Sequence, residues 1–228
     1  LTFDNSFSTG TLNNKSKIIA SRPPASEDWA LSIRRQSNSV NVDLYSIDYD
    51  RYSRVNIVTT LINYIVISGL SIAVTGKSGS SKKAFIAGLI KNLNPDYPIR
   101  TFELSSVISL NDIYPGRSIW NYNETVLVDE SKYNNIFIRS IPAISLISDD
   151  LADSSVVKAL FMNRTTSIMT IFGYECNSVS DMFENLANSV INTGRARTVE
   201  AAKGVLLNFF RIAVHLGCTS DGEKYIDS

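Results

Sequence analysis

The stretch SIAVTGKSGSSKKAFIAGLIKNL, residues 71–93, decides how the chain is read. It opens on SIAVT (71–75), an apolar run of strand length. A polar loop follows, Gly76-Lys77-Ser78-Gly79-Ser80-Ser81-Lys82-Lys83. AFIAGLIKNL (84–93) then carries apolar residues at helical spacing until Asn94-Pro95 ends it. A loop of this kind between a strand and a helix gathers backbone N–H groups at the positive end of the helix, which suits a phosphate. The consensus for a phosphate-binding loop is G-x-x-x-x-G-K-[ST]. Gly76 and Lys82 stand at the required separation, and Lys82 would neutralise β- and γ-phosphate charge. Two positions depart from the consensus. Ser81 replaces the second glycine, and Lys83 replaces the Ser or Thr whose hydroxyl would ligand magnesium. Ser80, Ser81 or a water could supply that oxygen instead. A polar Gly/Ser turn with a basic helix start is the competing reading of the loop taken alone.

Downstream, IRTFEL (99–104) reads as a second strand, ETVLVD (124–129) as a third and TSIMTIFGY (166–174) as a fourth. Helices are expected over 154–162 and 182–190, with a long amphipathic one over 199–216. Strands alternating with helices predict an α/β fold, a mostly parallel sheet with helices on both faces. Asp129, ending the third strand, would hold magnesium directly or through water. Glu103, closing the second, stands where a carboxylate would polarise the attacking water, with Glu130 as competitor. A solvated acid at a strand end is the plainer reading of each. The fourth strand runs out at Tyr174-Glu175-Cys176-Asn177.

Upstream, residues 57–74 carry no charge, roughly the minimum length for a membrane span. Thr59, Thr60, Asn63, Ser68 and Ser71 interrupt the run and Gly69 divides it, so it reads as a buried helix, a turn and a strand, with no membrane partner. Residues 1–28, rich in Ser, Asn and Thr, read as an arm or linker. LSIRR and VNVDLYSI suggest strands of a small elaboration. The expected organisation is an N-terminal arm and elaboration over 1–55 and a core over 56–228. With 228 residues, 44% of them apolar, the chain has enough for one sizeable core. Its 22 basic residues balance its 22 acidic ones, which argues against a globally basic nucleic-acid binder. Cys176, Cys218 and the single histidine, His215, have no metal-ligand spacing, and a reducing compartment fits best.

AVTGKSGSSKKAFIAGLI, RTFELSS and TVLVDESKYNNI, within about residues 70–136, resemble the hexameric RNA-packaging NTPases of the double-stranded-RNA bacteriophages, the cystoviruses. The resemblance implies a RecA-like P-loop core in a homo-hexameric ring, using Mg2+ with ATP or another NTP. It implies hydrolysis that drives single-stranded RNA into a viral procapsid, in the virion and the host bacterial cytoplasm. Lys82 is then the phosphate lysine, Glu103 the catalytic base and Asp129 the magnesium carboxylate. Arg195 and Arg197, in the turn Asn192-Thr193-Gly194-Arg195-Ala196-Arg197, would complete a neighbouring subunit's site, and Asn177, after the fourth strand, would sense the γ-phosphate. Lys132 and Arg139, after the third strand, would contact RNA. A degenerate nucleotide-binding module, favoured by Ser81 and Lys83, and a monomeric P-loop kinase or NTPase are the alternatives. The kinase would need an arginine-rich lid, and the sequence offers none.

Overall fold

The computed structural model describes residues 6–12, 16–34, 55–103, 110–123, 142–164, 168–221 and 224–227. The chain divides into two compact units, Leu1–Val40 with Ser105–Ser109, and Asn41–Leu104 with Leu110–Ser228.

The described part of the first unit is an antiparallel sheet of β1 (Phe7–Thr11), β2 (Lys17–Ser21) and β3 (Ala30–Arg34), in that order. Thr9 lies opposite Ile19, and Ile19 opposite Ser32. Residues 1–28 therefore contain two strands, where Ser, Asn and Thr content suggested an arm. Threonine is β-branched and fits a ladder as well as a linker, so composition misleads here. β3 covers most of LSIRR, while VNVDLYSI lies outside the described residues.

The second unit begins with α1 (Val55–Ile67), β4 (Ile72–Gly76), α2 (Lys82–Lys91), β5 (Ile99–Glu103), α3 (Leu110–Ile113) and β6 (Ile119–Asn123). It continues with β7 (Ile144–Ile147), α4 (Asp153–Arg164), β8 (Met169–Glu175), α5 (Val179–Asn192), α6 (Val199–Leu206), β9 (Ile212–Cys218) and β10 (Lys224–Ile226). The strands form one sheet in the order β10-β9-β4-β8-β7-β5-β6, and only the β9–β10 pair is antiparallel. Ala73, Phe172, Ile147 and Phe102 stand in register across four of these strands. They pack with Val156, Val157 and Leu160 of α4, Met182 and Leu186 of α5 and Leu206 of α6. Gly173, of the opposite parity, turns its bare face to Ile86 of α2, whose Cδ1 would lie 3.4 Å from a Cβ there. Helices thus cover both faces, as the alternation of elements predicts. Leu160 is almost fully buried in this core. Leu160→Ala should lower the unfolding free energy by about 2–5 kcal/mol, the range for a buried leucine truncation, read as a fall in Tm.

Residues 57–74 do form a helix, a turn and a strand. The helix is not buried all round. Ile62 and Val66 face inward, whereas Leu61, Tyr64 and Ile67 are exposed. Among the described residues no helix is long and apolar enough to cross a membrane. Residues 199–216 are not one helix. α6 stops at Leu206, and β9 starts at Ile212 because the open edge of β4 accepts it as a parallel partner, with Val74 opposite Val214. The run LLNFFRIAVHL fits either periodicity, so the neighbouring strand decides its state. The strand expected at 124–129 lies outside the described residues. Between β5 and β8 the sheet holds β7, a strand of only four residues.

Candidate functional site: the phosphate-loop edge

The carboxyl ends of β4, β5, β7 and β8 share one edge of the sheet, where parallel sheets open a crevice for ligands. β4 delivers Gly76 to it. A Cβ on Gly76 would stand 2.5 Å from Leu216 O and 2.6 Å from Ser80 Oγ, so nothing larger than glycine fits. The loop turns through Gly79 at φ 84 and ends on Ser81 at φ 62, ψ 29, which caps α2 without a side-chain hydrogen bond. This left-handed backbone is the reason a glycine is usual at that place. A serine there is strained by about 1–2 kcal/mol. Ser81→Gly is therefore expected to stabilise the protein by about 1 kcal/mol, a rise of roughly 2–4 °C in Tm, readable by calorimetry.

α2 starts at Lys82, so its positive end and the loop amides face the same edge. Lys82 is only 4% exposed. Its ammonium donates to Gly76 O and Lys77 O, each at 3.0 Å, and lies 3.3 Å from Asp149 Oδ2 and 3.8 Å from Glu175 Oε2. Lys83 Nζ lies 3.3 Å from Asp149 Oδ1 and 3.4 Å from Asp150 Oδ2. Burying an ammonium without partners of this kind is costly, and an entering phosphate can take the place of the carboxylates. Ser80 is fully buried under the loop, and its Oγ makes no hydrogen bond among the described residues. That hydroxyl therefore keeps an unspent hydrogen-bonding capacity at the loop.

Bonds around the loop fix its place. Cys176 N donates to Gly76 O at 3.3 Å, joining the end of β8 to the end of β4. Burial pushes the Cys176 thiol up from its ordinary pKa, so it stays neutral beside the lysines. Thr75 Oγ1 lies 2.8 Å from His215 Nδ1, a buried contact between β4 and β9. Tyr174 donates its hydroxyl to Asp153 Oδ1 at 2.8 Å, pinning the start of α4 to β8. Its pKa is raised by burial first and by that bond second.

No protein-family model matches the chain, and no curated protein matches it in sequence. Solved structures do. The VirB11 ATPase of the Brucella suis type IV secretion system, in complex with sulphate, aligns with a TM-score of 0.62 at 16% identity, over 100% of this chain and 76% of that one. The pilus retraction motor PilT with bound ADP gives 0.61 at 14% identity, over 96% of this chain and 62% of that one. The Legionella pneumophila ATPase DotB gives 0.59 at 14% identity, over 96% and 60%. The fold is that of the P-loop ATPases. This chain spans about three-fifths of the length of PilT and DotB.

Within this P-loop ATPase fold the sequence-predicted residues separate. Lys82 is central. Glu103 ends β5 on the same edge, and Ser148 N donates to Phe102 O at 2.9 Å, which sets Glu103 beside the segment leading to Asp149. Asn177 is exposed in the turn after β8, and it is Glu175 that reaches Lys82. Arg195 and Arg197 are exposed beyond α5. That helix starts at the loop edge and runs away from it for 14 residues, roughly 21 Å at the usual rise per residue, so the arginines lie towards the opposite edge of the sheet. Arg195 stacks its guanidinium 4.2 Å over the Phe161 ring. Asp129, Glu130, Lys132 and Arg139 lie outside the described residues. Asp149, Asp150 and Glu175 are the carboxylates that sequence reasoning missed. The signal for the two aspartates was AISLISDD (143–150), an apolar run ending in two acids.

Asp149 and Asp150 have the chemistry a hard divalent cation favours. The residue that should add a hydroxyl is Lys83, whose ammonium already rests on both carboxylates. With the Lys83 ammonium on both carboxylates, the described residues at this place do not present an open magnesium site. Among the described residues no group of three or more His, Cys, Asp or Glu side chains could hold a metal ion.

Proposed function

We propose that the chain is a nucleoside-triphosphate-hydrolysing subunit of an oligomeric motor of the secretion or pilus-retraction type, holding phosphates at residues 76–83. The observation that carries this is the buried Lys82 ammonium at a strand–loop–helix junction, held by loop carbonyls and strand-end carboxylates. The fold shared with VirB11, DotB and PilT supports it. In this reading Lys82 neutralises phosphate charge, the loop amides and Ser80 Oγ donate to phosphate oxygens, and Glu103 is the base for the attacking water. Arg195 or Arg197, remote from its own loop, acts on a neighbouring copy.

The narrower reading is a homo-hexamer that moves single-stranded RNA into a viral procapsid, and so works in the virion and the host cytoplasm. It rests on the sequence resemblance alone. Asp129, Lys132 and Arg139, which it uses, lie outside the described residues.

The test is phosphate release by the purified protein with and without single-stranded RNA. Release that RNA leaves unchanged favours the secretion type, and stimulation by RNA favours packaging. Nucleotide binding with no release leaves a non-hydrolysing module and removes the enzymatic reading. For the ring, Arg195→Ala or Arg197→Ala should lose at least ~10-fold in turnover without a matching loss of affinity, because such a contact strengthens as charge develops. Mixing that variant with Lys82→Ala protein should restore part of the activity. A mixture as inactive as its components would argue against a site completed between copies.

A further inference from the structure

The residue after the phosphate lysine is where a P-loop needs a hydroxyl, because that oxygen helps to hold the metal on the phosphates. This chain carries Lys83 there, and its side chain is engaged. The ammonium lies 3.3 Å from Asp149 Oδ1 and 3.4 Å from Asp150 Oδ2, while Lys82 takes the other oxygen of Asp149 at 3.3 Å. Asp149 therefore has a lysine on each oxygen. All three of Lys83, Asp149 and Asp150 are largely shielded from solvent. A divalent ion at these carboxylates would have to displace the Lys83 ammonium or sit against it, like charge beside like charge. The loss of the hydroxyl and the gain of the ammonium come from one residue and act in one direction.

We propose that Lys83 is a tethered cation that takes the place of the divalent metal, so that the site binds nucleoside triphosphate with no requirement for magnesium. The inference rests on the nucleotide-site reading above. Metal-free triphosphate is the more anionic form of the ligand. The chain answers it with Lys82 and Lys83, adjacent in sequence at the head of α2, where the helix end adds further positive potential. With no ligand present, Asp149 and Asp150 hold the Lys83 ammonium at the site. When phosphate arrives, the ammonium has only to exchange a carboxylate oxygen for a phosphate oxygen. Lysine suits this, since it is a point charge on a flexible stem and imposes no fixed coordination geometry.

The test is titration of wild-type protein and Lys83→Thr with a fluorescent ATP analogue, each in EDTA and in millimolar magnesium. The wild-type dissociation constant should change by less than ~3-fold between the two conditions, whereas Lys83→Thr should bind at least ~10-fold more tightly in magnesium, having regained the hydroxyl and freed the carboxylates. A wild type that loses the nucleotide in EDTA overturns the inference and leaves the nucleotide site standing. A Lys83→Thr protein as indifferent to magnesium as wild type also overturns it. No binding by wild type in either condition removes the nucleotide-site reading itself. The wild-type arm needs no variant, and a thermal melt of Lys83→Thr checks that it is folded.

Discussion

Lys82→Ala is expected to lower phosphate release at least ~100-fold, the scale on which single electrostatic groups act in phosphoryl transfer. Lys82 is 4% exposed, so little of the field of its ammonium is lost to water. Its two bonds to Gly76 O and Lys77 O fix it where α2 opens, which limits the reorganisation needed when charge builds on a phosphate. Alanine removes the charge and leaves both carbonyls without this donor. The loop amides and the helix end remain, so some nucleotide binding should survive while turnover collapses. Lys82→Arg should restore little, because a planar fork cannot repeat a point contact with two carbonyls and a carboxylate in so enclosed a place. Steady-state phosphate release, measured beside nucleotide affinity on the same preparation, separates the two effects. If affinity and kcat/KM fall by the same factor with kcat unchanged, the lysine serves ground-state binding only. Turnover within ~3-fold of wild type would remove residues 76–83 from the phosphate site altogether.

The strand, loop and helix over residues 71–93 were legible because their signals are covalently local. SIAVT, the glycines at 76 and 79 and the helical period of 84–93 lie within one stretch, and the distance from Gly76 to Lys82 is fixed by chain length alone. β5, β8, α4 and α5 were legible for the same reason, each long enough to show its own period. β7 was not, since four residues show no period and ETVLVD offered a longer run with a similar acidic end. The cost of that miss fell on the site. Asp149 comes near Lys82 only because β7 lies two strands from β4, and strand order is a long-range property that no local pattern contains. The same holds for β9, whose residues become a strand only against the edge of β4. Lys83 shows the limit most sharply. Its departure from consensus could be read at once, but its position on Asp149 and Asp150 required the sheet to be assembled.

Asp149→Asn is expected to destabilise the protein by about 3 kcal/mol, the low end for removing one partner of a buried ion pair. For a chain of this length that is roughly 6–12 °C in Tm. Asparagine keeps the shape of the side chain and one acceptor, but not the charge. Lys82 and Lys83 would then face each other with Asp150 and the half-exposed Glu175 as their remaining carboxylate neighbours in the cluster. The Lys82 ammonium, the more deeply buried of the two, dominates the loss, because desolvated charge is the expensive kind. A triphosphate brings negative charge back to the same place, so folding and binding become coupled, and ligand that binds only the folded state should recover most of the lost stability. Affinity should rise as well, since the nucleotide no longer competes with a fixed carboxylate for either lysine. A site organised around a carboxylate-held metal responds in the opposite sense, with asparagine weakening the metal and the nucleotide together. Thermal melts of wild type and variant, with and without nucleotide, in EDTA and in magnesium, distinguish the two. A variant that melts with wild type in the absence of ligand, or one that loses nucleotide outright, would mean that Asp149 is not the counter-ion of the phosphate lysine.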